Sequence, residues 1–224
     1  MGTVTVAATY GAGGSVIAPA VADRLGLHLI DRAIPVPLAE KLHHELRHAL
    51  AEDEESEGTA SRLLTRALVS TGLFVGIPAD PAERGALTEV ARSEEVVRQL
   101  ADREGTVILG RAAVFVLQGR PDTLHVRLDG PVEARRRQAM RHEGIDYETA
   151  ARQQERADRA RRAYVTRFYP HAGAWTDMRH YHVILDSTVI SLEVCVELIV
   201  RAAQDRFARA GAGAAPVTRR LPPT

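Results

Sequence analysis

Val6-Ala7-Ala8-Thr9-Tyr10-Gly11-Ala12-Gly13-Gly14-Ser15-Val16 is the stretch on which the reading of this chain turns. Upstream, Thr3-Val4-Thr5-Val6-Ala7-Ala8 is a short β-branched apolar run, the pattern of a buried strand. Downstream, Val16, Ile17, Ala20, Val21 and Leu25 repeat at helical spacing and Gly26 closes the helix. Pro19 falls in the first turn, where its missing N–H is tolerated. Between strand and helix, three glycines in four residues let the backbone turn its N–H groups inward. The helix start adds its positive end. Tyr10, Gly11, Ala12, Gly13, Gly14 and Ser15 together make an anion site suited to a di- or triphosphate.

The string leaves alternatives open. Against G-x-x-x-x-G-K-[ST], Gly13 and Ser15 match, while Ala8 replaces the first glycine and Gly14 stands in the lysine position. A glycine-rich turn that binds nothing reads the same way. A dinucleotide fold shares Gly11-x-Gly13, with Asp31 near the place of a ribose-binding acid, but its third glycine would fall at Val16.

Outward from the loop, strands alternate with helices. Leu27–Ile30 reads as a second strand, ending at Asp31-Arg32, and Thr106–Leu109 as a third, ending at Gly110-Arg111. Thr123–Asp129 meets Gly130-Pro131, with proline at the first position of a helix over 131–142 that Gly144 closes. Asp146 caps a long helix to about 168, His182–Asp186 is the fifth strand, and Ser191 caps a last helix to about 208. The fold class is therefore α/β, a five-stranded parallel sheet covered by helices on both faces.

We expect one domain over 1–208. A helical insert spans 33–105, an arginine-rich lid 145–180, and a disordered tail rich in Ala, Gly and Pro 209–224. The insert carries leucines at 38, 42, 46 and 50, a stripe that suits either its own core or a second copy of the chain in a homodimer. His43, His44 and His48 lie on that helix as a solvated face rather than a metal site.

The bulk numbers exclude several classes. In 224 residues, 45% are hydrophobic and 26% charged, and the net charge is zero, which gives no basis for a nucleic-acid surface. The one cysteine, Cys195, cannot form an intramolecular disulfide and reads as core. No run reaches the roughly 20 apolar residues of a membrane span, and the N-terminus lacks a signal-peptide pattern, so a cytoplasmic location is expected. Lys41 is the only lysine, so contacts to phosphate fall to arginine.

The arginines fall where such contacts would be made. Arg32, Arg111 and Asp129 end strands at the carboxyl edge, where α/β ligands bind. Residues 131–167 hold ten arginines against six acids. Arg152, Arg156, Arg159 and Arg162 share one helical face, which suits either a lid over phosphates or a solvated face laced by i,i+4 pairs. Tyr164, Phe168 and Trp175 read as packing between lid and core.

Tyr10-Gly11-Ala12-Gly13-Gly14, the helix, and Leu27-His28-Leu29-Ile30-Asp31-Arg32 resemble the opening of the cytidylate kinase-like family. Val107-Ile108-Leu109-Gly110-Arg111 resembles its Gly-Arg element, and Leu124–Asp129 with Glu133 and Arg135 its next strand and helix start. Glu155-Arg156-Ala157-Asp158-Arg159-Ala160-Arg161 is similar to its arginine-rich lid, and Val183–Glu193 to its final strand and helix. The resemblance implies a P-loop kinase fold and phosphoryl transfer from ATP, with Mg2+, to CMP or dCMP.

On that resemblance, Arg156, Arg159 and Arg161 would be the lid cations. Arg111 and Arg32 would hold the acceptor and Ser15 the metal, while Asp31 would hold the metal or orient Arg32 on the acceptor side. Asp129 would contact the acceptor nucleotide or serve the helix start. The Gly14 departure keeps open a regulatory nucleotide-binding protein with little or no catalysis.

Overall fold

The computed structural model describes residues 2–31, 90–91, 94–102, 105–110 and 112–212, without the side chain of Asp31. The expected helix with leucines at 38, 42, 46 and 50, its histidines at 43, 44 and 48, Lys41, Arg32 and Arg111 lie outside them.

Five strands form one parallel sheet in the order β2-β3-β1-β4-β5: β1 (Thr3–Ala8), β2 (His28–Asp31), β3 (Thr106–Leu109), β4 (Thr123–Asp129) and β5 (Val183–Asp186). The register brings their carboxyl ends to one edge. Asp31 pairs with Leu109, Leu109 with Val6, Ala8 with Leu128, and Asp129 with Asp186. β1 is central, so the loop that follows it opens at the middle of that edge, with β3 on one side and β4 on the other.

The helices are α1 (Gly14–Leu25), α2 (Ala113–Val116), α3 (Val132–Glu143), α4 (Tyr147–Phe168) and α5 (Leu192–Gly211), and residues 94–102 are also helical. The capping residues hold as expected. Gly26 and Gly144 take left-handed φ of 64° and 67° after α1 and α3. The Asp146 carboxylate accepts from Thr149 N and the Ser191 hydroxyl from Val194 N. Pro131 sits one position earlier than expected, at the cap rather than in the first turn. α5 runs to Gly211.

α1 and α5 cover one face of the sheet. Val4, Val6, Val107, Leu124, Val126 and Leu128 meet Ile17, Val21, Cys195 and Ile199 there in the main core. The other face of β4 carries Thr123, His125, Arg127 and Asp129, and the first three are also buried. An alternating strand normally shows its polar side to water. Here Arg127 packs against Trp175 and Tyr181 and His125 stacks on His182, which places polar side chains inside the protein toward the loop edge.

Candidate active site

The loop is decided by where its backbone groups point. Its carbonyls are engaged on the protein side. Thr9 O accepts from Ala12 N (3.1 Å), and Gly13 O from Val16 N (3.0 Å) and Ile17 N (2.9 Å). Tyr10 O accepts from Arg135 NH1 at 2.8 Å, and Ala12 O from the buried Ser187 hydroxyl at 2.8 Å. Among the described residues, no group accepts from the amides of Gly11, Gly13, Gly14 or Ser15. The first amides of a helix have no intrahelical acceptor, and four neighbouring amides of this kind at a helix N-terminus suit an anion.

The glycines are needed by geometry. Gly11 has φ 78°, and a Cβ there would lie 2.2 Å from Arg135 O. Gly13 has φ 72°. Gly14 has no unusual φ, yet a Cβ there would lie 2.5 Å from the Cβ of Ala8. The lysine position of the loop is thus closed by the strand beneath it.

Beside the loop lies a cavity of about 450 Å³. Thr9 and Asp129 form its floor, Arg127 and Arg135 one wall, Asp158 and Arg162 of α4 another, and Trp175 its end. Both oxygens of Asp129 are engaged, Oδ1 by the Thr9 hydroxyl at 2.8 Å and Oδ2 by Arg127. Arg127 also donates to Thr176 O and lies 5.1 Å from the Trp175 ring centre. Arg135 donates to Gly130 O at 2.9 Å and sits 3.6 Å from Asp129 and 3.7 Å from Asp158. A second, smaller hollow between α3 and α4 is lined by Arg136, Arg159 and Arg162.

A model of the "Cytidylate kinase-like family" matches residues 3–189, from the first residue of β1 to just past β5. The chain belongs to the cytidylate kinase-like family. No curated protein matches it closely enough to report. Among solved structures, an uncharacterized protein from Eubacterium ventriosum aligns with TM-score 0.61 at 18% identity, covering 91% of this chain and 99% of the other. A gluconokinase from Sinorhizobium meliloti aligns at 0.49 and 15% identity, covering 96% and 98%, and a sugar kinase from Janibacter at 0.47 and 18%, covering 93% and 97%. At 18% identity the first of these likenesses is one of fold, and the family match makes that fold the P-loop kinase one.

Within this kinase-like frame the sequence-predicted residues separate. Tyr10 through Ser15 form the cradle, and the Tyr10 hydroxyl reaches α3 by donating to Glu143 at 2.7 Å. Burial and that carboxylate push the Tyr10 phenol well above its ordinary range. Asp31 ends β2 at the same edge.

On the lid, Arg156 and Arg159 are exposed. Arg161 is not: it is 7% exposed, pairs with Asp158 at 3.4 Å and lies 5.9 Å from the Trp175 ring centre. Burial lowers the Arg161 guanidinium to about 10. Arg162, one residue on, is exposed and lines both hollows. Burial also raises the carboxyl of Asp158, against the opposing pull of Arg135.

Trp175 packs with Tyr164 and Val165 as expected, and also ends the cavity. Thr9, Arg127, Asp158 and Ser187 are the site residues that motif reading passed over. Arg127 stands two residues before Asp129 on the same strand face, and that spacing was the one signal available for it.

A magnesium ion fits the donor set sparingly. Among the described residues no group of three acidic, His or Cys side chains could hold a metal. Magnesium at a nucleotide needs only one or two protein oxygens, since phosphates and water supply the rest. The exposed hydroxyl of Ser15 at the start of α1 meets that need. No helix among the described residues is long and apolar enough to cross a membrane.

Proposed function

We propose that this chain transfers the γ-phosphoryl group of ATP to a nucleoside monophosphate, with CMP and dCMP the first acceptors to test. The observation that carries the reading is the carbonyl-out, amide-in loop. Gly11, Gly13, Gly14 and Ser15 offer four neighbouring N–H groups with no acceptor among the described residues, and a triphosphate is the ligand whose charge such a cradle suits. The choice of cytosine nucleotides rests on membership in the cytidylate kinase-like family.

In this reading the loop amides hold the β- and γ-phosphates. The Ser15 hydroxyl, with Asp31, would hold magnesium, which when bound would supply positive charge against the phosphates. The acceptor lies beside the loop, with Arg32 and Arg111 on its phosphate. A deprotonated acceptor phosphate oxygen forms the new bond to the γ-phosphorus as the bond to the β–γ bridging oxygen breaks, and ADP leaves with that electron pair. Such a reaction needs alignment and charge neutralisation rather than a covalent catalyst. Arg159 and Arg162, both exposed and facing the hollows along α4, supply cations from the lid, with Arg156 on the same helix. ATP and nucleoside monophosphates share the cytoplasm, and we place the protein there.

A second reading has its own support. Gly14 occupies the lysine position with no room for a side chain, so the cradle works without a fixed cation. That favours a nucleotide-binding regulatory protein of kinase ancestry. Turnover of ATP with CMP, dCMP, UMP and AMP separates the two. Phosphorylation of CMP or dCMP above the other acceptors is expected. ATP binding with no turnover on any of the four selects the regulatory reading.

A further inference from the structure

The cradle has no lysine to draw phosphate in, so its affinity depends on where its amides aim. Two of those aims are set from outside the loop. In a trans peptide the C=O and N–H point in opposite directions, so fixing one fixes the other. Tyr10 O and the Gly11 N–H belong to one peptide, and Ala12 O and the Gly13 N–H to another. The first carbonyl is held by Arg135 NH1 from α3, the second by the Ser187 hydroxyl from the turn after β5, each at 2.8 Å.

Both holders are themselves buried and braced. Arg135 is 5% exposed and donates through Nε to Gly130 O. Ser187 is 2% exposed, its amide donates to Asp129 O at 3.1 Å, and its hydroxyl oxygen lies 3.3 Å from that same carbonyl. Both holders are thus tied to the end of β4, one at Gly130 and the other at Asp129.

We propose that Arg135 and Ser187 are positioning residues for nucleotide phosphate, aiming the Gly11 and Gly13 amides respectively by gripping the carbonyls behind them. This rests on the loop being the ATP site. Neither side chain touches phosphate. Each prevents a peptide flip that would turn a carbonyl oxygen toward the anion and replace attraction by repulsion. Glycine at 11 and 13 makes such flips easy without the grip.

The test uses the full-length chain, with MgATP binding measured by calorimetry and amide shifts by 1H–15N NMR. In the wild type, the Gly11 and Gly13 resonances move on addition of MgATP. Ser187→Ala is expected to weaken MgATP about tenfold and to suppress the Gly13 displacement while sparing Gly11. Arg135→Lys, which keeps the charge but not both donors, is expected to do the reverse. Arg209→Gln, on the far end of α5, is expected to change neither. Ser187→Ala removes a single oxygen, so it decides the matter even if Arg135→Lys fails to fold.

Unchanged affinity and displacements in Ser187→Ala overturn the inference and leave the kinase reading standing. Weaker binding with both displacements intact overturns it too, because the loss then lies elsewhere. No MgATP binding by the wild type at millimolar concentration overturns the kinase reading, and the inference with it.

Discussion

The phosphate loop, which follows the cavity-lining Thr9, and the lid helix, which lines the same cavity with Asp158 and Arg162, are built on opposite principles. The loop carries no charged side chain between Tyr10 and Ser15 and offers backbone amides. The lid offers side chains, with exposed arginines at 156, 159 and 162. Amides held by packing are rigid and pre-aimed, and lose little entropy when a ligand arrives. Exposed guanidiniums are mobile and solvated, and gain most once water is excluded. The pairing suggests a division of labour. In the proposed reaction the loop would fix the nucleotide in the ground state, and the lid would add charge as the phosphoryl group moves.

If that division holds, damage to the loop appears in binding and damage to the lid in rate. The largest effect is expected from Gly11→Ala. The new Cβ would sit 2.2 Å from a backbone oxygen at a φ of 78°. Strain and displacement of about 2–4 kcal/mol translate into roughly 30- to 1,000-fold weaker MgATP, read by calorimetry. Affinity within a few-fold of wild type would break the loop half of the comparison.

Next comes the lid. Arg162→Gln is expected to lower kcat about 100-fold with MgATP affinity little changed. Arg161→Met, its neighbour, is expected to act differently. Arg161 is buried between Asp158 and Trp175, so its loss should cost about 2–3 kcal/mol of stability in denaturant unfolding. A rate collapse in Arg161→Met at unchanged stability would reverse the roles of the two arginines.

That pair shows where the sequence stops being legible. Glycines and caps are local, so the loop, the strand ends and the helix limits at Gly26, Gly144, Asp146 and Ser191 could be read directly. Which side of an arginine-rich helix faces inward is a tertiary matter, and the thin apolar stripe of Ala150, Tyr164 and Val165, to which Arg161 belongs and Arg162 does not, is masked by the charges around it. The polar face of β4 misleads for a similar reason. Thr123, His125 and Arg127 alternate with Leu124, Val126 and Leu128 as on a half-exposed strand, and only tertiary packing buries them, with Arg127 against Trp175 and Tyr181 and His125 against His182. Ser187 stands in the sequence only as part of the final strand end, with no role of its own. Its value comes from the loop carbonyl 175 positions away in sequence.

A smaller effect tests whether loop and lid are alternatives for the missing lysine. Gly14→Lys restores the pattern, but its Cβ would lie 2.5 Å from the Cβ of Ala8. We expect a loss of about 1–2 kcal/mol in stability and no gain in turnover. A faster enzyme would mean that the loop tolerates and uses a fixed cation.

The smallest effect falls on neither side of the cavity and calibrates the rest. Burial lowers His125 to about 4, with the neighbouring charges of His182, Arg206 and His180 acting in the same direction. Its Nδ1 lies 2.8 Å from the Thr5 hydroxyl. An unfolded histidine titrates near 6.5. Between about pH 6.5 and 4 the unfolded chain therefore takes up a proton that the folded chain refuses. Stability is full above that window and falls on acidification through it, by on the order of 1 kcal/mol per pH unit. Below pH 4 this contribution stops changing. His125→Gln should flatten the dependence of Tm on pH, and an unaltered slope would assign it to other groups.

The central claim is that Gly11–Ser15 is a working phosphate cradle made of backbone alone. It is tested most directly by titrating the wild-type chain with MgATP while following the backbone amides by 1H–15N NMR. The account predicts saturable displacement of the Gly11, Gly13, Gly14 and Ser15 resonances at a common, sub-millimolar affinity. Binding that moves other amides and leaves these four in place, or no binding at millimolar MgATP, would contradict it.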